Sequence, residues 1–262
     1  MQIFEVEVFK VFVLVLVRFS GLVVSAPVLG SRNLPVMAKV GIAGFSALLV
    51  TFHVPALQQG LPNDFLAFAW LAAGEVLIGL MMGFVMTLVF AAIQVGGQMV
   101  DMLSGFALVN VFNPAMETQV PVFGFFYYII AGLYLLVING HHLMIRHLVA
   151  TFDKIPLGGF MARPDLFYDV STWGSAMFFD GLLIAAPVAG VLLLAYVTMG
   201  LMGRVVPQIH LFVVGFPLTI GMALLVTGLS LGIYLNVIDG MFERMFGGVR
   251  VVVAGMSGNR TL

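Results

Sequence analysis

Six apolar runs dominate this chain, approximately Val8–Val28, Lys39–Leu57, Phe65–Ile93, Val122–Asn139, Gly181–Met202 and Leu211–Leu235. Each is near or above the ~20 residues with which an α-helix crosses a bilayer core. In so apolar a setting the backbone must satisfy its own hydrogen bonds, which the helix does within a single segment. The expected fold is therefore all-α, a membrane-type protein of long helical hairpins. Phe65–Ile93 is too long for a plain span: at ~1.5 Å per residue it reaches roughly 44 Å, so it tilts or extends beyond the hydrocarbon. Pro187 and Pro217 fall inside the fifth and sixth runs and are expected to kink them.

Composition agrees. Of 262 residues, 61% are hydrophobic and 9% charged, against about 25% charged in soluble domains. A net charge of −1 leaves no basic stripe with which to neutralise nucleic-acid phosphates. The chain has no cysteine, which removes disulfides, thiolate metal sites and thiol nucleophiles. The first ten residues carry Glu5 and Glu7 where a signal peptide would be basic, and Ser25-Ala26-Pro27 is a poor cleavage site, so the first run reads as retained. If the six runs alternate sides, Lys10, Arg146, Lys154, Arg163, Arg244, Arg250 and Arg260 collect on one side, which favours cytoplasmic termini. The shortest loop nevertheless carries Arg32 and Lys39 on the other side.

Small residues recur at helix-packing spacing in Gly79-x-x-x-Gly83 and Gly228-x-x-x-Gly232, with Gly41/Gly44, Gly200/Gly203 and Gly215/Gly221 alongside them. Three stretches read as something other than spans. Residues 94–121 form a connecting region rich in Gly, Met and Phe, residues 140–180 a polar and solvent-exposed connection, and residues 247–262 a flexible tail.

Catalytic motifs are missing: there is no phosphate-binding loop, dinucleotide fingerprint, HExxH or G-x-S-x-G. His141, His142 and His147 cluster, but not at zinc-ligand spacing, and they read as the polar start of a helix. An enzyme is not expected, and no cofactor is implied. Two charges do interrupt apolar sequence. Glu75 lies near the middle of the third run and Arg18 inside the first, where an acid or base costs roughly 2.5–3.5 kcal/mol. They either pair across helices as a structural or intersubunit contact, the favoured reading, or Glu75 is an ion-coupling carboxylate. Gln94, Gln98 and Asp101 share roughly one helix face, as in a polar seam or pore lining. Arg204 stands at a break between runs, where it can satisfy helix C-terminal carbonyls. The Met- and Phe-bearing stretch from Met99 to Phe126 reads as helix core, or as a pliant seal in a wide channel.

Arg18-x-x-Gly21 with Pro27, Gly30, Pro35 and Lys39, then Glu75-x-x-x-Gly79-x-x-x-Gly83 with Gly97, Asp101 and Gly105, form an ordered series. Asn113-Pro114, Asn139-Gly140-His141 and Gly203-Arg204-x-x-Pro207-Gln208 leading to Phe212-x-x-Gly215-Phe216-Pro217 complete it. The series resembles the FliR/SctT/SpaR family, the R-type subunit of type III secretion export gates, and covers roughly residues 5 to 245. His210 and Thr219 depart from the family pattern, where a small polar residue and a lysine are commoner.

The resemblance implies a single export-gate domain over residues 1–262, in a helical assembly of one such subunit with five FliP-like and four FliQ-like subunits and an FlhB-like subunit outside. The location would be the basal body of the flagellum in the bacterial inner membrane, and the cargo unfolded flagellar polypeptides. A plug is implied at about Gly105–Val120, with Phe106, Leu108, Val111, Phe112 and Met116 as obstructing side chains. Arg18, Glu75, Asp101, Arg204 and Gln208 would then be structural or intersubunit polar contacts. The rival is an ion-coupled secondary transporter using Glu75 and Asp101; a stand-alone lipid-embedded scaffold is a third reading.

Overall fold

A computed structural model describes residues 6–52, 61–107, 121–161, 163–205 and 211–257. Among the described residues there are eight α-helices and no strand: α1 Val6–Ser25, α2 Val36–Thr51, α3 Phe65–Ser104, α4 Val122–Val137, α5 Gly140–Lys154, α6 Pro164–Val205, α7 Leu211–Leu229 and α8 Leu231–Met256. Among the described residues, three stretches are single helices long and apolar enough to cross a membrane, Val6–Ser25, Phe65–Ser104 and Tyr168–Val205. The count rises to five if the bent pairs α4–α5 and α7–α8 each make one span. The second apolar run yields only the 16-residue α2 among the described residues.

The 40 residues of α3 organise the rest. Asp64 starts the helix: its Oδ2 accepts the Ala67 N–H at 3.1 Å and its carbonyl accepts the Phe68 N–H at 3.0 Å, the two bonds expected of an N-cap. Gly105 ends it at φ 91°, a left-handed conformation that favours glycine. The chain divides into two compact units, both drawing on α3. The first comprises residues 1–88, 135–173 and 243–262, the second residues 89–134 and 174–242.

In the first unit, α1 crosses α3 at backbone contact. A Cβ added at Gly21 would stand 2.7 Å from the Val76 carbonyl oxygen, and one added at Gly79 would land on the Arg18 carbonyl. The crossing buries Leu14, Val15, Phe19 and Leu22 of α1 and Ile78, Met82 and Val85 of α3. α2 folds back along α1. Lys39 of α2 donates to the Gly30 carbonyl at 2.9 Å, in the connection between α1 and α2. That contact gives the charge in the shortest loop a local structural task.

Residues 140–180 are largely helical, and one face of that stretch is buried although many of its residues are exposed. Met144, Leu148, Thr151 and Phe152 recur on one face of α5 and are buried, the spacing of an amphipathic helix, and α6 already starts at Pro164. Asn139, at φ 56°, makes the corner between α4 and α5. Asparagine tolerates that region, and a Cβ on the next residue, Gly140, would stand 2.9 Å from the Leu135 carbonyl oxygen. The Asn-Gly-His motif thus marks a tight helix corner. Nor are residues 247–256 a loose tail: α8 runs to Met256 and buries Val249, Val252, Val253 and Met256. Its last carbonyls, of Gly255 and Met256, accept the N–H groups of Arg163 and Met161, each at 3.3 Å.

In the second unit, α3 again meets other helices through glycine. A Cβ on Gly96 would stand 2.7 Å from the Gly181 carbonyl oxygen of α6, and one on Gly97 would fall on the Gly124 Cα of α4. The core around these contacts includes Phe90, Ile93, Phe123, Tyr127, Val188, Leu192, Tyr234 and Phe242. The Tyr127 and Tyr234 rings stack at 4.5 Å, and the Tyr234 hydroxyl donates to the Tyr127 carbonyl at 2.6 Å. The region expected as a connection from residue 94 begins as helix, because glycine packing carries α3 to Ser104.

The glycine patterns are not equivalent. Gly228 and Gly232 have no described atom within 4 Å of an added Cβ, and the same holds for Gly41, Gly44, Gly200 and Gly221. Gly79→Ala forces a methyl against α1 backbone that cannot yield and should cost about 1–3 kcal/mol. Gly228→Ala should leave the isolated chain unchanged or more stable, by up to about 1 kcal/mol, through helix propensity. Thermal unfolding of the detergent-solubilised chain checks both, with a lowered midpoint expected for Gly79→Ala alone.

Candidate functional site

The first unit contains a buried polar centre. Arg18 of α1 and Glu75 of α3 are both fully buried, and Arg18 Nε donates to Glu75 Oε2. Arg18 Nη1 donates to Thr151 Oγ1 at 2.9 Å and Nη2 to the Ile155 carbonyl at 3.2 Å. The guanidinium lies over the Phe152 ring, 4.1 Å from its centroid, a favourable face for a cation. The second carboxylate oxygen, Oε1, accepts the Gly158 N–H at 2.8 Å. Gly158 is left-handed at φ 77°, and a Cβ there would stand 2.7 Å from Leu71 Cδ2. One ion pair thus fastens α1, α3, α5 and the turn after α5. Beside it, Trp70, Leu71, Gly74, Leu77 and Phe160 line an apolar cavity of about 390 Å³.

A second polar centre lies in the other unit, at the C-terminal end of α3. Asp101 is 4% exposed, while Gln94 and Gln98 are exposed, so the three do not form a continuous polar seam. The α4 N-terminus lies against Asp101 and draws its carboxylate inward: Oδ1 accepts the Phe123 N–H and Oδ2 the Gly124 N–H, both at 3.1 Å. Ser104 Oγ donates to the Asp101 carbonyl at 3.2 Å, and Thr219 Oγ1 of α7 donates to the Ser104 carbonyl at 2.8 Å. The Tyr196 hydroxyl of α6 donates to the Leu103 carbonyl. Thr219, one of the departures from the family pattern, is thereby placed at the α3 terminus.

Other expected site residues are dispersed. Arg204 is exposed in the last turn of α6. Phe106 follows the α3 terminus, its ring edge-on to Phe123 at 5.6 Å. Leu108, Val111, Phe112, Met116 and Gln208 lie outside the described residues. The histidines do not converge. His141 and His142 lie 4.2 Å apart, whereas His147 bonds the Leu143 carbonyl at 2.7 Å and stacks on Phe246. Sequence reasoning missed Thr151 and Gly158 as members of the Arg18 centre; a buried threonine on the apolar face of α5 was the available signal for the first.

Residues 9–245 match the family described as bacterial export proteins, family 1, and so span both polar centres. The chain is 35% identical over 207 residues to the flagellar biosynthetic protein FliR of Escherichia coli (strain K12), covering 78% of each chain. It is 30% identical over 246 residues to that of Bacillus subtilis (strain 168), covering 91% of this chain and 92% of the relative. The chain belongs to the FliR family of bacterial export proteins. A third FliR, from Pectobacterium carotovorum subsp. carotovorum, is 31% identical over 230 residues, covering 88% of this chain and 87% of the relative.

For this FliR-family chain the Arg18–Glu75 centre makes a sharp stability forecast. Removing one partner of a buried ion pair strands the other charge and costs roughly 3–5 kcal/mol, whereas replacing both with apolar groups is often near neutral. Arg18→Met and Glu75→Leu should each abolish most folded protein, and the double variant should recover a large part of it. Monodisperse yield in detergent and the unfolding midpoint report the outcome.

Proposed function

We propose that this chain is a non-enzymatic subunit of the flagellar type III export gate, forming and sealing the channel through which unfolded flagellar polypeptides leave the cell. Family membership over residues 9–245 carries this reading. The expected setting is the inner-membrane basal body, with one copy of this chain among five FliP-like and four FliQ-like subunits and an FlhB-like subunit outside.

The surface of the chain supports an assembled rather than solitary state. On α7 and α8, Leu224, Leu225, Leu229 and Ile233 are exposed around Gly228 and Gly232, whose faces have no described neighbour. Exposed α2 residues, Val36, Met37, Val40 and Phe45, flank Gly41 and Gly44 in the same way. Small residues between large apolar ones allow another helix to approach closely.

The seal is assigned to Gly105–Val120, with Phe106, Leu108, Val111, Phe112 and Met116 obstructing the path. Apolar constrictions exclude water and ions, and Met and Phe repack around a passing chain. Deleting residues 105–120 should raise ion leakage through the gate assembled with its partner subunits, while those subunits still co-purify. Planar-bilayer conductance measures it, and an assembly as tight as the unaltered one would overturn the plug assignment.

A further inference from the structure

The corner between α7 and α8 is built differently from the corner between α4 and α5. The bends are similar, 62° for α7–α8 and 67° for α4–α5. At the α4–α5 corner the backbone itself turns, at left-handed Asn139. At the α7–α8 corner Ser230 alone separates the helices, and no described residue near it has a positive φ. The Ser230 N–H still bonds the Val226 carbonyl at 2.8 Å, and the Ser230 carbonyl still accepts the Tyr234 N–H at 2.9 Å. Both bonds follow the α-helical i to i−4 pattern. The buried stripe also passes through the break: Ala223, Thr227, Ser230, Tyr234, Ile238 and Met241 keep helical spacing on either side of it. Gly228, Ser230 and Gly232 make this stretch easy to bend, but they set no angle.

The angle is set from α4. Tyr127 is buried against both arms. Its hydroxyl pairs with Thr227 Oγ1 of α7 at 3.3 Å, its ring stacks on Tyr234 of α8 at 4.5 Å, and its carbonyl accepts the Tyr234 hydroxyl at 2.6 Å. One residue therefore holds a point on each side of Ser230. Gly228 and Gly232 lie off the buried stripe, with no described atom within 4 Å of an added Cβ.

We propose that α7 and α8 form a hinge at Ser230 and that Tyr127 is the positioning residue that holds it bent. Gly228 lies on one arm and Gly232 on the other, so the angle set by Tyr127 also shapes the outward face between them. A helix packing along both glycines has to match that bend or straighten it.

The chain has no cysteine, so spin labels at Val214→Cys and Asn236→Cys, both exposed positions, report the angle in the full-length chain in detergent. At ~1.5 Å per residue the two positions stand roughly 33 Å apart along a straight helix and roughly 29 Å apart across a 62° bend. Double electron–electron resonance should give the shorter distance in the labelled chain without further change. Tyr127→Ala, which removes the ring stack and the Thr227 contact, should lengthen it by about 4 Å. Tyr127→Phe and Tyr234→Phe each remove one hydrogen bond and keep the stack, and should broaden the distribution toward longer distances. Leu14→Ala, a buried change in α1 that leaves the clamp intact, should lower the unfolding midpoint and leave the distance unaltered. An unaltered distance in folded Tyr127→Ala overturns the clamp. So does an equal lengthening in Leu14→Ala, which would make the bend a product of general packing. If Tyr127→Ala does not fold, the double variant Tyr127→Phe/Tyr234→Phe decides: a broadened distribution supports the clamp and an unaltered one overturns it.

Discussion

Backbone contact along α3, made possible by glycine, determines what its two buried acids can reach. Glu75 is followed four residues later by Gly79, and Asp101 is preceded four residues earlier by Gly97, so each acid shares a helix face with a glycine. In both cases the residue that touches the glycine is also the partner of the acid. Arg18 lays its carbonyl where a Gly79 side chain would stand and sends its guanidinium to Glu75. Gly124 lays its Cα where a Gly97 side chain would stand and gives its N–H to Asp101. Close approach and polar satisfaction are therefore one device used twice. A methyl group at either glycine displaces the donor as well as the helix, because the buried carboxylates have no water to fall back on.

The same logic separates interior from exterior. Gly21, Gly79, Gly96, Gly97 and Gly181 stand at close contact with a neighbouring helix, whereas Gly228, Gly232, Gly41 and Gly44 sit among exposed leucine, valine and methionine. Small residues among large exposed apolar ones leave room for another helix to approach closely. Basic residues are bound by similar constraints. Lys39 binds the Gly30 carbonyl in the connection between α1 and α2, and Lys10 binds Asn63 at 2.6 Å and Glu7 at 3.0 Å. A lysine engaged in holding its own fold need not report which side of a membrane it faces, so Lys39 is a weak guide to orientation.

Much of this was legible in residues, and what was not has a physical reason. Arg18 and Glu75 stood out because charge within apolar sequence is costly, and a pair was the economical solution. Their third partner, Thr151, was hidden in a stretch whose polarity suggested exposure. α5 alternates polar and apolar at helical period, and its buried face is a minority of its residues. The partner of Asp101 was not readable at all. Backbone N–H groups occur at nearly every position, and only an N-cap filled by proline marks those of Phe123 and Gly124 as needing an outside acceptor. α3 runs past the end of the third apolar stretch for a related reason. Gly96 and Gly97 look like helix breakers in isolation, but a neighbouring backbone at contact distance compensates for their low propensity.

These geometries bear on how a chain with so few charges could take part in transport. A carboxylate that carries protons or ions must exchange its partners in every cycle. Glu75 holds a guanidinium on one oxygen and the Gly158 N–H on the other, while Asp101 holds the Phe123 and Gly124 N–H groups. Three of these four donors are backbone amides. They cannot be displaced without opening a turn or the first turn of a helix, and each would remain as an unpaired buried donor costing roughly 1–3 kcal/mol. Releasing either acid would therefore loosen the fold before it moved an ion. That weighs against the ion-coupled transporter, because neither acid is free to exchange its partners.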